Sequence, residues 1–174
     1  MHLILIGLRG TGKSTAGRAT ADLLARPFID LDERTADIVG CDAPTCFDQH
    51  GESAWRAAEV QALQIALDLD RPSILALGGG TPIAPGAEAI LRPAQAEHAA
   101  RIAWLDAPAE VLLERIGDDP ARPPLTALPP LEEMREIDEQ RRPVFQRIAD
   151  RRIDAAAGDR AHAVGGLIAL ATTG

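Results

Sequence analysis

The segment Gly7-Leu-Arg-Gly-Thr-Gly-Lys13-Ser14 fits the pattern G-x-x-x-x-G-K-[ST]. Glycines let a backbone curl until several N–H groups point inward at phosphate oxygens. A helix opening at that point adds its dipole. In such a loop Gly10, Thr11 and Gly12 supply the cradle, and Lys13 reaches the β- and γ-phosphates of a nucleotide. Ser14 offers a hydroxyl to Mg²⁺, and Thr15 stands in the first turn of the helix. The cations sharpen the point. Of 18 Lys plus Arg residues 17 are Arg, and the single lysine is Lys13. Where every other cation is a guanidinium, one retained ammonium marks a place that needs one. The pattern gives a nucleoside triphosphate and magnesium, but by itself does not separate a kinase from a GTPase or a motor. An N-K-x-D guanine signature is excluded, because the only lysine is already used.

A second group of residues has the types an acceptor site needs. Asp30 and Asp32 end an apolar run. Strand alternation would put both carboxylates on one face. One could then orient metal-bound water while the other takes a hydroxyl proton. The plainer alternative is a helix N-cap, since a helical stretch follows. Trp55 and Arg56 are adjacent in a segment entering a helix, so they face different ways: Trp55 packs inward and Arg56 is free to point toward a cleft, while a helical Arg taken alone is more often a surface charge. Gly78, Gly79 and Gly80 follow an apolar run and permit close approach of backbone to a small ligand. Arg122 lies in a Pro-rich loop, as a lid arginine over a phosphate site would. Arg141 and Arg142 precede Pro143, where an interrupted helix could turn a guanidinium inward.

These residues need elements to hold them. Apolar runs at His2–Ile6, Pro27–Asp30, Pro72–Leu77, Ala100–Leu105 and Arg151–Asp154 read as five strands. Helical patterns lie at Lys13–Ala25, across Leu31–Asp70 with breaks near Gly40–Pro44 and Gly51, and at Pro85–Arg92. More follow at Pro108–Ile116, at Pro130–Asp150 with an interruption near Pro143, and at Arg160–Thr172. Strands alternating with helices imply parallel βαβ units, hence an α/β, doubly wound five-stranded sheet. Ligands on such sheets bind beyond the carboxyl ends of the strands, and the candidate segments all follow strands.

The 174 residues fit one domain, 1–174. Within it fall a phosphate loop at 7–15, a helical substrate-binding region at about 31–60 and a mobile lid at about 117–130. A net charge of −8 argues against duplex nucleic acid as partner. No apolar run is long enough to span a membrane. Cys41 and Cys46 read as free thiols in a reducing compartment, so the cytoplasm is expected. No sizeable apolar surface is evident, so a monomer is expected.

The pieces in this order resemble the shikimate kinase family, a nucleoside-monophosphate-kinase-like group of P-loop kinases. The resemblance runs from Gly7 to about Asp154. It rests on GLRGTGKST, FIDLD, the F-x-x-x-G-E-x-x-W-R of Phe47–Arg56, LGGG at Leu77–Gly80, ARPPL at Ala121–Leu125 and RRPVF at Arg141–Phe145. It implies phosphorylation of the 3-hydroxyl of shikimate, a cyclic trihydroxy carboxylic acid, with ATP and Mg²⁺. It implies that Asp32 contacts the ring hydroxyls and acts as base, and that Asp30 holds Mg²⁺ through water. Arg56 and Arg141 would clamp the carboxylate, with Gly79 of the Gly78–Gly80 turn on a ring hydroxyl. Arg122 would stand at the transferring phosphate and Arg115 against adenine. The chain departs from the family's lid pattern R-P-L-L with Arg122-Pro-Pro-Leu125. It departs from R-x-P-x-Y with Phe145, and it has no tyrosine at all. A gluconate kinase, whose acceptor is also a polyol carboxylate, and a nucleotide-binding module without catalysis are the competing readings.

Overall fold

The computed structural model describes residues 1–117, 128–156 and 160–173. Its order is β1 (His2–Ile6), α1 (Lys13–Leu24), β2 (Phe28–Asp30), α2 (Leu31–Val39), α3 (Ala43–His50), α4 (Glu52–Leu67) and β3 (Ile74–Ala76). After a 3-10 turn at Thr81–Ile83 come α5 (Ala87–Ala96), β4 (Ala100–Asp106), α6 (Ala109–Ile116), α7 (Pro130–Ile148), β5 (Arg151–Asp154) and α8 (Arg160–Thr172).

The five strands form one sheet in the order β2-β3-β1-β4-β5, parallel at every pair. β1 is central, with Leu3 opposite Ile74 on one side and Ile4 opposite Ile102 on the other. Every residue of β1 is buried, which is why its sequence is continuously apolar rather than alternating. Helices α1 and α8 pack on each other and on the sheet, and α5 packs on β4, α4 and α7. From β1 the chain steps to β2 on one side, and β4 lies on the other side. The crevice therefore opens at the carboxyl end of β1, where Gly7 begins. Among the described residues no helix is long and apolar enough to cross a membrane. Both cysteines are free thiols, Cys46 buried and Cys41 half-buried.

Beyond shifts of a few residues at element ends, the elements differ from the sequence reading as follows. β2 and β3 are three residues each, because Pro27 and Pro72 cannot extend the ladder. Helix α5 starts at Ala87, later than expected, and continues through Pro93 to Ala96. Pro108 is the N-cap of α6 rather than its first residue. Helix α7 is not interrupted at Pro143. A mid-helix proline costs about 3 kcal/mol, but Met134, Ile137, Phe145 and Ile148 are buried on both sides of it. At roughly 1.5–3 kcal/mol per buried large side chain, their packing outweighs the loss. The expected lid at about 117–130 lies largely outside the described residues, and Arg122 lies wholly outside them.

Candidate active site

The phosphate loop is shaped by close contact as much as by freedom. A Cβ on Gly7 would lie 2.3 Å from the Leu105 carbonyl oxygen, so only glycine lets the loop leave β1 beside β4. Gly10 and Gly12 have φ of 83° and 84°, the left-handed region that side chains disfavour. Gly12 caps α1 without any side-chain hydrogen bond, which leaves the helix's first N–H groups facing the cleft. Thr11 is buried and donates to the Leu8 carbonyl at 2.8 Å, bracing the loop. Lys13 Nζ donates to the carbonyls of Gly7 and Leu8, both at 2.9 Å, which holds the ammonium across the loop. Thr15 stands exposed on the same cleft.

Asp30 ends β2 and caps α2, accepting from the Asp32 amide at 3.2 Å. Asp32 therefore lies in the first turn of α2, not on the strand. The expected strand alternation is replaced by a cap that still brings the two acids together. The other Asp30 oxygen accepts from Ser14 Oγ at 2.8 Å. Asp32 is reached by solvent through the cleft but ringed by protein. That enclosure, followed by the charges of Glu59 and Asp30, pushes its carboxyl up to about 6 against the pull of Lys13 and Arg56.

Glu59 was not singled out by its sequence position, yet it organises the acceptor end. It is 1% exposed, accepts from Thr81 Oγ1 at 2.7 Å, and pairs with Arg56 Nη1 at 2.7 Å. Glu52 holds the other side of the same guanidinium at 2.6 Å. Arg56 also stands over the Phe47 ring, which meets buried Trp55 edge-on. A signal existed: Glu52, Arg56 and Glu59 recur at helical spacing, so they share one face of α4.

The three glycines stand close against charged side chains of the cleft. Gly78 leaves no room for a Cβ beside Asp32 Oδ1 (2.4 Å) and Glu59 Oε1 (2.7 Å). A Cβ on Gly79 would stand 3.0 Å from Arg141 Nη1, and one on Gly80 would stand 2.3 Å from Arg56 Nη1. Each glycine thus seats a different charged group of the cleft against bare backbone.

Arg141 and Arg142 separate cleanly. Arg142 pairs with Asp106 and Asp138 and stacks over Trp104, so its work is structural. Arg141 reaches the cleft and makes no ion pair among the described residues, and its Nε is buried without an acceptor. Burial, with Arg56 nearby, lowers its pKa to about 10, so it remains a cation at neutral pH. The phosphate loop from Gly10 to Thr15, Asp30, Asp32, Arg56, Glu59, Gly78–Gly80 and Arg141 line one cleft of about 1180 Å³, and Arg142 lies outside it. At its far end Arg115 donates to the Ala155 carbonyl at 2.8 Å, beside Arg160 and Ala163. The structure thus brings together every expected site residue that lies within the described chain.

A glycine-rich loop at a helix start, a raised carboxyl and a guanidinium with no ion pair among the described residues share one cleft, and this agrees with what comparison finds. A family model described as shikimate kinase matches residues 9–169. The chain belongs to the shikimate kinase family. The shikimate kinase of Neisseria gonorrhoeae is 36% identical over 154 residues, covering 88% of this chain and 87% of that one. The shikimate kinase of Corynebacterium glutamicum is 30% identical over 151 residues, 87% of this chain and 85% of that one. Among solved structures, shikimate kinase from Acinetobacter baumannii in complex with shikimate superposes with a TM-score of 0.83 at 28% identity, over 95% of this chain and 88% of that one. A gluconokinase from Sinorhizobium meliloti superposes with a TM-score of 0.62 at 19% identity, over 97% and 89%, a likeness of fold alone.

Proposed function

We propose that the chain transfers the γ-phosphoryl group of MgATP to the 3-hydroxyl of shikimate, giving shikimate 3-phosphate and ADP. The observation that carries this reading is Arg141. A cation without a carboxylate partner among the described residues stands in the same cleft as Asp32 and the phosphate loop. That geometry suits an acceptor with an anionic group at one end and a hydroxyl at the other.

The residues present fit the cofactors. Ser14 and Asp30 are hard oxygen donors 2.8 Å apart, the donor set that Mg²⁺ prefers. The glycine loop and the open start of α1 fit a triphosphate. MgATP supplies the phosphoryl group and part of the charge neutralisation.

The chain's own residues do the rest. Arg56 and Arg141 bind the acceptor carboxylate, and bidentate Arg–carboxylate pairing fixes the ring's orientation. Gly78–Gly80 lets the ring approach the backbone, and Asp32 orients the attacking hydroxyl and accepts its proton. A carboxyl near 6 is a better base than an ordinary one and is still ionised at pH 7. Lys13 holds the terminal phosphates, and Arg115 with the wall at Ala155 takes the adenine. The family resemblance alone assigns Arg122 to the transferring phosphate. The reading keeps a cytoplasmic monomer with no nucleic-acid or membrane partner.

ADP release from purified protein with MgATP, compared with shikimate, gluconate and no acceptor, tests the proposal. Stimulation by shikimate alone supports it. Stimulation by gluconate overturns the acceptor, and release with neither overturns the reaction.

A further inference from the structure

Arg9 is the third residue of the phosphate loop, and its side chain is held by the first turns of α7 rather than by the loop. Its Nη2 donates to Glu133 Oε1 at 2.7 Å, across 124 positions of sequence. Glu133 is 1% exposed, and Arg9 is 25% exposed. Breaking a pair that includes a buried carboxylate leaves an uncompensated charge, so such a contact holds its two elements together. Glu133, Met134, Ile137 and Arg141 recur on one face of α7. The face that grips Arg9 is thus the face that delivers Arg141.

The two arginines are also neighbours. A Cβ on Gly79 would lie 3.0 Å from Arg141 Nη1 and 3.8 Å from the Arg9 amide. The charge of Arg9 counts among those that depress the Arg141 pKa, so the two cations repel. Arg9 Nε and Arg141 Nε are both buried without an acceptor.

We propose that the Arg9–Glu133 pair is a strut between the phosphate loop and α7 that seats Arg141 against Gly79. Arg9 and Glu133 are positioning residues for acceptor binding. The strut fixes the distance between the loop and the helix face. It also draws the Arg9 charge away from Arg141. The inference rests on the acceptor reading above, since it assigns Arg141 to the acceptor's carboxylate.

The sign of each substitution follows. Glu133→Gln releases Arg9, which then repels Arg141 as well as losing the tether. Arg9→Met loses the tether and leaves the buried Glu133 carboxylate without Arg9, but it frees no cation beside Arg141. The double variant loses the tether without a freed Arg9 charge, so adding Arg9→Met to Glu133→Gln should recover acceptor binding.

The test is steady-state turnover of shikimate by wild type, both single variants and the double variant, with melting temperatures recorded. Losing one charge-assisted contact corresponds to roughly a tenfold change in KM, and we expect that rise in shikimate KM for Glu133→Gln. Arg9→Met and the double variant should each show about a threefold rise, because the two changes share one interaction and do not add. The ATP KM should stay within about twofold throughout. A lowered melting temperature with unchanged shikimate KM overturns the strut. So does a double variant no better than Glu133→Gln. Wild type that ignores shikimate fails at the first step, and that failure belongs to the acceptor reading on which the strut depends.

Discussion

Gly80→Ala places one methyl group against the guanidinium of Arg56, the proposed carboxylate clamp. Gly80 has φ of −95°, so alanine meets no backbone strain there. Its Cβ would instead lie 2.3 Å, 2.4 Å and 2.5 Å from Nη1, Cζ and Nη2 of Arg56. Normal contact is about 3.5 Å, so the guanidinium must move by roughly 1 Å. It is held on two sides, by Glu59 at 2.7 Å and Glu52 at 2.6 Å, so it cannot shift freely and keep both. Displacing it removes a charge-assisted contact to the acceptor, about 1.5–3 kcal/mol, or roughly 10- to 150-fold in shikimate KM. The ATP KM should change by less than about twofold, because the phosphate loop is untouched. Steady-state kinetics with each substrate varied reads both. An unchanged shikimate KM would refute the assignment of Arg56 to the acceptor. Equal losses for both substrates would mean that the methyl group deforms the cleft as a whole.

Asp32 makes two predictions of opposite sign. As base it must be ionised, so kcat/KM should fall as pH drops through about 6, and Glu59→Gln should move that limb downward by removing a charge that raises the pKa. As a group whose folded pKa is raised, its contribution to stability is present below its unfolded value and lost as pH rises through about 6. Asp32→Asn should therefore abolish turnover and yet resist denaturant at pH 8 at least as well as wild type; a clear loss of stability there contradicts the environment described. Arg141→Ala and Arg142→Ala should part company. The first raises shikimate KM at least tenfold, by the energy of one charge-assisted contact, with little change in melting temperature. The second lowers stability by about 1–2 kcal/mol, since buried Asp106 keeps Arg152 but loses one partner, and leaves shikimate KM alone.

Some of this was legible before any coordinates. The phosphate loop was, because its chemistry depends on consecutive residues and a local strand–turn–helix context. The five strands and most helices were, because burial on both faces of a parallel sheet writes continuous apolar runs. That Trp55 and Arg56 face different ways followed from helix geometry, but that Arg56 meets the cleft did not. The uninterrupted α7 was misread because Pro143 is a local signal and the buried residues that override it act through packing. Asp30 and Asp32 do lie together, but not by strand alternation, since the strand ends two residues earlier than alternation requires.

The tertiary structure decided the rest, and the reason is the range of the forces. Sequence spacing reports what neighbours within one element do. It cannot report that Glu59 sits between Thr81, Arg56 and Asp32, or that three glycines each make room for a charge from another element. Apart from the family pattern R-x-P-x-Y, nothing local distinguished Arg141 from Arg142; the physical distinction arose when Asp106 and Asp138 claimed one guanidinium and left the other facing the cleft. Electrostatics in an enclosed site depends on distances across the fold, and only packing the helices onto the sheet fixes those distances.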